Sequence, residues 1–90
     1  MVRDTRPISW VKGALKDYQK FPKGAQLEIR RALTVAAEGA KTENAKPMKG
    51  LGAGVLEIAL KYRADAYRVV YALKIGEVIW VVHAFQKKSK

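Results

Sequence analysis

The sequence predicts an α+β fold in which two helices pack on one face of an antiparallel sheet. Two observations carry this prediction. Apolar residues recur at intervals of three and four in the first half of the chain, as in amphipathic helices, and at intervals of two in the second half, as in strands. The chain has 90 residues, of which 49% are hydrophobic, so we expect residues 1–90 to form a single domain.

The first half is predicted to form a short strand followed by two helices. The strand is expected at residues 6–11 and the first helix at 12–20, which ends at Phe21 because a residue before proline disfavours helical backbone. The second helix is expected from 22 or 23 to 38, with Gly39 suited to its end. The apolar face of the first helix comprises Val11, Ala14, Leu15 and Tyr18, and that of the second comprises Ala25, Ile29, Leu33, Ala36 and Ala37.

The second half is predicted to form an irregular segment and then a three-stranded meander. Residues 40–54 contain Pro47 and three glycines, and their apolar residues show no regular spacing. The strands are expected at residues 55–62, 66–74 and 77–86. The links at Ala64–Asp65 and Ile75–Gly76 are short, which favours antiparallel hairpins.

The two faces of this meander have different compositions, since alternate residues of a strand point to opposite faces. The apolar set predicted to face the helices is Leu56, Ile58, Leu60, Tyr67, Val69, Tyr71, Leu73, Val78, Trp80, Val82 and Ala84. The set predicted to be uncovered is Val55, Glu57, Ala59, Lys61, Arg68, Val70, Ala72, Ile79, Val81, His83, Phe85 and Lys87. It combines a carboxylate, an imidazole, a ring and several cations, and is the candidate functional site. Glu57 and Arg68 also fit an ordinary cross-strand pair, and His83 fits a structural role.

The chain is strongly basic. Lys and Arg number 18 against 8 Asp and Glu, for a net charge of +10, and each half of the sequence carries half of the excess. A chain with this excess of positive charge attracts polyanions, of which nucleic acid is the first candidate. Anionic lipid and an acidic protein partner remain open as alternatives.

Several classes of protein are excluded by composition. The chain has no Cys, which excludes disulfides, Cys-ligated zinc, iron–sulfur clusters and thiol nucleophiles. It has one His, so neither a metal site nor a cofactor is expected. The glycines of residues 50–54 lack the flanking strand and helix of a phosphate-binding loop. No apolar run approaches the roughly 18–20 residues of a membrane span, and no signal peptide is visible, so a cytoplasmic protein without membrane contact is expected.

Four segments, together with the predicted order of elements, carry a resemblance to a known family. They are Lys46–Gly52, Leu56–Ile58, Asp65–Tyr71 and His83–Lys90. They resemble the RelE/ParE superfamily of bacterial toxins and are most similar to its phage-associated, HigB-like branch. The resemblance implies the toxin of a type II toxin–antitoxin pair, acting as a metal-independent mRNA endoribonuclease that inhibits translation. The implied partners are mRNA in the ribosomal A site and a cognate antitoxin, HigA-like or another helix-turn-helix protein.

The resemblance and the chemistry of RNA cleavage together assign roles. Cleavage by the ribose 2′-OH needs a base, an acid and cations around the phosphorane. Glu57 is expected as base or orienting group, His83 as acid or base, and Arg68 with Lys87 as the anion clamp. Phe85 is expected to stack a base. The predicted catalytic residues are thus Glu57, Arg68, His83 and Lys87, and the predicted RNA-binding residues are Lys49, Lys61, Arg63, Phe85 and Lys88.

The chain departs from the family pattern at Ala59, where RelE-type members have lysine and HigB-like members usually have arginine. A C-terminal helix that supplies a tyrosine in RelE-type members also has no counterpart in the sequence. These departures keep two alternatives open. One is a ParE-like DNA gyrase inhibitor, which shares the fold without catalytic residues. The other is a catalytically weakened toxin that acts only as an antitoxin-binding partner.

Overall fold

A computed structural model describes residues 7–39, 45–48, 54–73 and 78–87 of the chain. The elements, in order, are β1 (Ile8–Trp10), α1 (Lys12–Tyr18), α2 (Lys23–Ala37), β2 (Ala45–Pro47), β3 (Val55–Tyr62), β4 (Asp65–Ala72) and β5 (Ile79–Lys87). No helix in this part of the chain is long and apolar enough to cross a membrane.

The strands form one five-stranded sheet in the order β1-β5-β4-β3-β2. β3, β4 and β5 form the predicted antiparallel meander, with the helices on one face, so the α+β prediction is confirmed. Two features differ from the prediction. β1 runs parallel to β5, which makes the sheet mixed, and β2 lies within the segment 40–54 that was expected to be irregular. A three-residue strand at a sheet edge is too short to show a period of two, so the sequence pattern could not reveal it.

The helices bury the apolar faces that their periodicity predicts, with one exception. All five predicted residues of α2 are buried, and Gly39 ends that helix at a φ of +91°. In α1, Ala14 and Tyr18 are buried. Val11 is 44% exposed, so its predicted place in the core is wrong. It is the N-cap of α1 and has an extended backbone, which takes its side chain off the helix face.

A β-bulge at Val82 reverses the faces of the first half of β5. His83 lies opposite Val70, but Val81 lies opposite Tyr71, so Val82 is an extra residue in the ladder. A shift of one residue exchanges the two faces of a strand. The predicted core position of Val82 is therefore wrong, as are the predicted open positions of Ile79 and Val81: Val82 is 42% exposed, whereas Ile79 and Val81 are fully buried.

The bulge changes the place of Trp80 as well. Trp80 lies opposite Ala72 on the face away from the helices, so its predicted core position is also wrong. Beyond the bulge, Ala84 packs in the core as predicted, and His83, Phe85 and Lys87 keep the predicted open face.

The β3–β4 hairpin turns through Arg63 and Ala64, one residue earlier than expected. Tyr62 and Asp65 form the last pair of the ladder, and Arg63 has a φ of +58°. The expected turn at Ile75–Gly76 lies outside the described residues.

Candidate nucleic-acid interface

The face of the sheet opposite the helices, called here the open face, gathers charged and aromatic side chains in rows across the strands. Strand register defines the rows, because residues directly opposite each other share a face. The first row is Lys46, Glu57, Val70 and His83; the second is Ala59, Arg68 and Phe85; the third is Lys61, Ala66 and Lys87.

The structure brings most of the sequence-predicted site residues together. On the open face lie Glu57, Lys61, Arg68, His83, Phe85 and Lys87. Arg63 is exposed in the β3–β4 turn, but its guanidinium lies 5.4 Å from the ring centre of Tyr62, which packs against the core on the helix side, so Arg63 does not join the open face. Lys49 and Lys88 lie outside the described residues.

Glu57 and Arg68 form an ion pair within the open face. Arg68 Nη1 donates to Glu57 Oε1 over 2.8 Å, and the side chains are 27% and 20% exposed, respectively. The two residues are diagonal neighbours, since Glu57 lies opposite Val70 and Arg68 lies opposite Ala59. In the described part of the chain, Arg68 Nε is buried and has no hydrogen-bond partner. The pair holds the guanidinium through Nη1 and leaves the buried Nε without a partner among the described residues.

Glu57 and His83 lie on either side of Val70 in the first row. Two strand spacings separate them, which places their Cα atoms about 10 Å apart. Val70 is 6% exposed although it faces away from the helices. The His83 ring lies 4.9 Å from the Phe85 ring, with 34° between their planes. A carboxylate and an imidazole thus flank a small apolar residue, and Arg68 follows in the next row.

A cavity of about 440 Å³ opens beside this pair, towards the β3–β4 hairpin. It is lined by Ala59, Leu60, Lys61, Ala64, Asp65, Ala66, Arg68 and Lys87. Its volume is in the range of small-molecule pockets. On the open face, the alanines at 59 and 66 give it an apolar floor, and three cations surround that floor.

Sequence reasoning missed two residues of the open face. Lys46 lies opposite Glu57 on β2, a strand too short for the sequence pattern to predict. Trp80 was assigned to the core because a bulge without glycine or proline leaves no sequence signal. Lys46 begins one of the segments that carry the family resemblance, and that is the signal that could have drawn attention to it.

Two buried tyrosines lie under the sheet and take no part in the site. Burial raises the pKa of Tyr71, and burial, with Asp65 and Tyr62 nearby, raises the pKa of Tyr67. Both face the helix side, and both are neutral at pH 7. Within the described ranges, no three His, Asp or Glu side chains are grouped as metal ligands.

Comparison with known proteins gives a family and a set of solved structures. The family model described as "Phage derived protein Gp49-like (DUF891)" matches residues 16–90. A search of curated proteins finds no match.

The fold is similar to that of solved toxin structures. The isolated E. coli RelE toxin is 21% identical, with a TM-score of 0.73 over 94% of this chain and 87% of that one. The E. coli RelBE toxin–antitoxin complex is 20% identical, with a TM-score of 0.66 over 94% and 98%. The toxin–antitoxin complex RelBE2 of Mycobacterium tuberculosis is 16% identical, with a TM-score of 0.61 over 94% of each chain. At these identities the likeness establishes the fold.

Proposed function

The chain belongs to the phage-derived Gp49-like family, within the RelE/ParE superfamily, and we propose that it is the toxin of a type II toxin–antitoxin pair that cuts mRNA on the ribosome. One observation carries the proposal. Arg68, Lys61 and Lys87 share the open face with an acid–base pair, Glu57 and His83. This is the set of groups that metal-independent RNA cleavage requires.

The proposed reaction is an internal transfer at phosphorus. Glu57 takes the proton of a ribose 2′-OH, and the 2′-oxygen forms a bond to the adjacent phosphorus. The bond from phosphorus to the 5′-oxygen breaks, and His83 gives a proton to that oxygen. The products are a 2′,3′-cyclic phosphate and a free 5′-OH, so no water or metal enters the step.

The arrangement of the rows supports separate roles for Glu57 as base and His83 as acid. A phosphate over Val70 lies between the carboxylate and the imidazole, as a base and an acid on opposite sides of a reacting phosphorus require. Arg68 is two residues along β4, about 7 Å away by strand geometry, and its side chain is 27% exposed, so the accessible part of it can contact the phosphate oxygens. Lys61 and Lys87 in the third row are placed to bind the neighbouring phosphate of the RNA.

An antitoxin is the proposed protein partner. Two of the solved structures with this fold are complexes of a toxin with its antitoxin. The net charge of +10 favours a partner that is acidic where it meets this chain. A helix-turn-helix protein of the HigA-like type is the form of antitoxin we propose.

Two features favour a second candidate, a weakened toxin that only binds its antitoxin. Ala59 provides no cation in the second row, and Arg68 is already paired with Glu57. A missing phosphate contact slows cleavage because a single oxyanion donor contributes about 10²–10³-fold. RNA binding through the other cations would survive such a loss.

Controlled expression in bacterial cells tests the proposal. We expect protein synthesis, followed by labelled amino-acid incorporation, to stop before any DNA breaks appear. Arg68→Ala should abolish the arrest. Arg31→Ala is the matched control, since it removes a cation from an exposed position on α2 and should leave the arrest intact. DNA breaks preceding the arrest would instead identify a gyrase inhibitor, and growth without arrest would identify the antitoxin-binding form.

A further inference from the structure

We propose that Trp80 is a base-stacking residue and that β5 presents a line of rings, Trp80, His83 and Phe85, to single-stranded RNA. This inference rests on the proposed function, which places RNA on the open face. It adds a second nucleotide-binding position, at the opposite end of β5 from the cavity.

The position of Trp80 follows from the bulge. Trp80 lies opposite Ala72 on β4 and opposite Ser9 on β1, whereas its neighbours Ile79 and Val81 are fully buried under the helices. The apolar core of the described residues includes both neighbours but not Trp80. Trp10 provides the contrast, because it packs against the core with its ring 4.6 Å from that of Tyr18. The two tryptophans of the chain therefore lie on opposite faces of the sheet.

The indole of Trp80 is only partly buried and pairs with no other ring in the described part of the chain. Part of a large aromatic ring system is thus accessible on the basic, open face of the sheet. Single-stranded RNA satisfies both features, since its phosphates bind cations and its unstacked bases pack on rings. Lys46, Lys61, Arg68 and Lys87 supply the cations.

The distance between the rings of β5 is compatible with an extended single strand of RNA. Trp80 and Phe85 are about 15 Å apart along β5 at the usual rise per residue, and His83 lies between them. RNA that follows β5 has one base near Phe85 beside the acid–base row and another at Trp80. Trp80 is then a positioning residue, which affects RNA affinity and the choice of cutting site rather than the chemical step.

Tryptophan fluorescence tests the proposal directly, because the chain has two tryptophans. The probe is a ten-nucleotide, unstructured RNA with 2′-O-methyl riboses, which binds but cannot be cut. Trp10→Phe leaves Trp80 as the sole tryptophan, and its fluorescence should be quenched in a saturable manner. Trp80→Phe leaves Trp10, whose fluorescence should not respond. Binding is followed independently by the anisotropy of labelled probe.

Affinity measurements provide the second readout. Trp80→Ala should weaken binding of the probe roughly tenfold, the scale of one lost base–ring contact, and Trp80→Phe should weaken it less. Val82→Ala, at the exposed bulge residue, is the matched control and should bind as the unmodified chain does. Thermal melting of each variant establishes that the fold is intact.

The outcomes separate this inference from the proposed function. Probe binding without any change in Trp80 fluorescence overturns the inference, as does absence of binding, while arrest of translation still supports the toxin. Quenching of Trp80 in a chain that does not cut mRNA supports the inference and overturns the proposed cleavage.

Discussion

Arg68 on β4 donates a hydrogen bond to Glu57 on β3, with 2.8 Å between Nη1 and Oε1. The pair joins two rows of the open face: Glu57 belongs to the acid–base row, and Arg68 to the row that follows it. Both side chains are partly exposed, so the pair contributes about 1 kcal/mol or less to stability. Its main consequence is functional, because the proposed base and the proposed phosphate ligand hold each other in place.

Replacing Glu57 by Gln tests this relationship. The amide keeps an oxygen that accepts from Arg68 but removes a negative charge from the RNA face. We expect the 2′-O-methyl RNA probe to bind more tightly, while cleavage of mRNA on ribosomes falls by about 10²-fold or more. Glu28→Gln on exposed α2 makes the same change in charge away from the site and should leave the cleavage rate unaltered. Full cleavage by the Glu57 variant would exclude Glu57 as the base.

The bulge in β5 predicts opposite effects for two adjacent valines. Val81 is fully buried, so Val81→Lys places a charge in the core and should unfold the chain. Val82 is 42% exposed, and Val82→Lys should change the free energy of unfolding by only about 0.5 kcal/mol. Urea unfolding followed by circular dichroism measures both. If β5 had no bulge, Val82→Lys would lower the free energy of unfolding more than Val81→Lys.

A cation at position 59 should strengthen RNA binding at a cost in stability. Ala59 lies directly opposite Arg68, so Ala59→Lys places two like charges side by side and lowers the free energy of unfolding by up to about 1 kcal/mol. The new phosphate contact should steepen the dependence of log affinity on log salt by roughly 0.7. Ala59→Gln fills similar space without charge and should leave this slope unchanged. An unaltered slope in the lysine variant would show that RNA phosphates do not pass over position 59.

Two glycines on the helix side should respond in opposite directions to alanine. Gly39 ends α2 at a φ of +91°, so Gly39→Ala should lower the free energy of unfolding by about 1 kcal/mol. Gly13 lies inside α1, and a methyl group there would meet open space, so Gly13→Ala should raise the free energy of unfolding by up to about 1 kcal/mol. Thermal melting compares the two. Equal destabilisation by both would contradict the assigned end of α2.

Much of the fold could be predicted from local sequence patterns. The apolar stripe of α2, the residue before Pro22 and the glycine at 39 each act over a few residues, and the structure agrees with them. The meander was equally clear, because period-two alternation extends over whole strands. Val11 was misplaced because periodicity alone does not distinguish a cap residue from the first residue of a helical face.

What could not be predicted depends on contacts between distant segments. β2 exists because three residues pair with β3, and the bulge at Val82 is defined only by how β5 pairs with β4. The open face was nevertheless largely correct, because Glu57, Arg68, His83, Phe85 and Lys87 all lie where the regular alternation extends without interruption. Trp80 and Lys46 were missed for the two reasons just given.

In the proposed mechanism, Arg68 binds the phosphate at which the RNA is cut on the open face. The most direct test is to map the ends of ribosome-bound mRNA after brief expression of the chain, by a ligation that detects 2′,3′-cyclic phosphates. We predict new cyclic-phosphate ends in the presence of the unmodified chain and of Arg31→Ala, and a loss of about 10²–10³-fold with Arg68→Ala. The same ends at the same level with Arg68→Ala, in a protein that still melts as the unmodified chain does, would contradict the account.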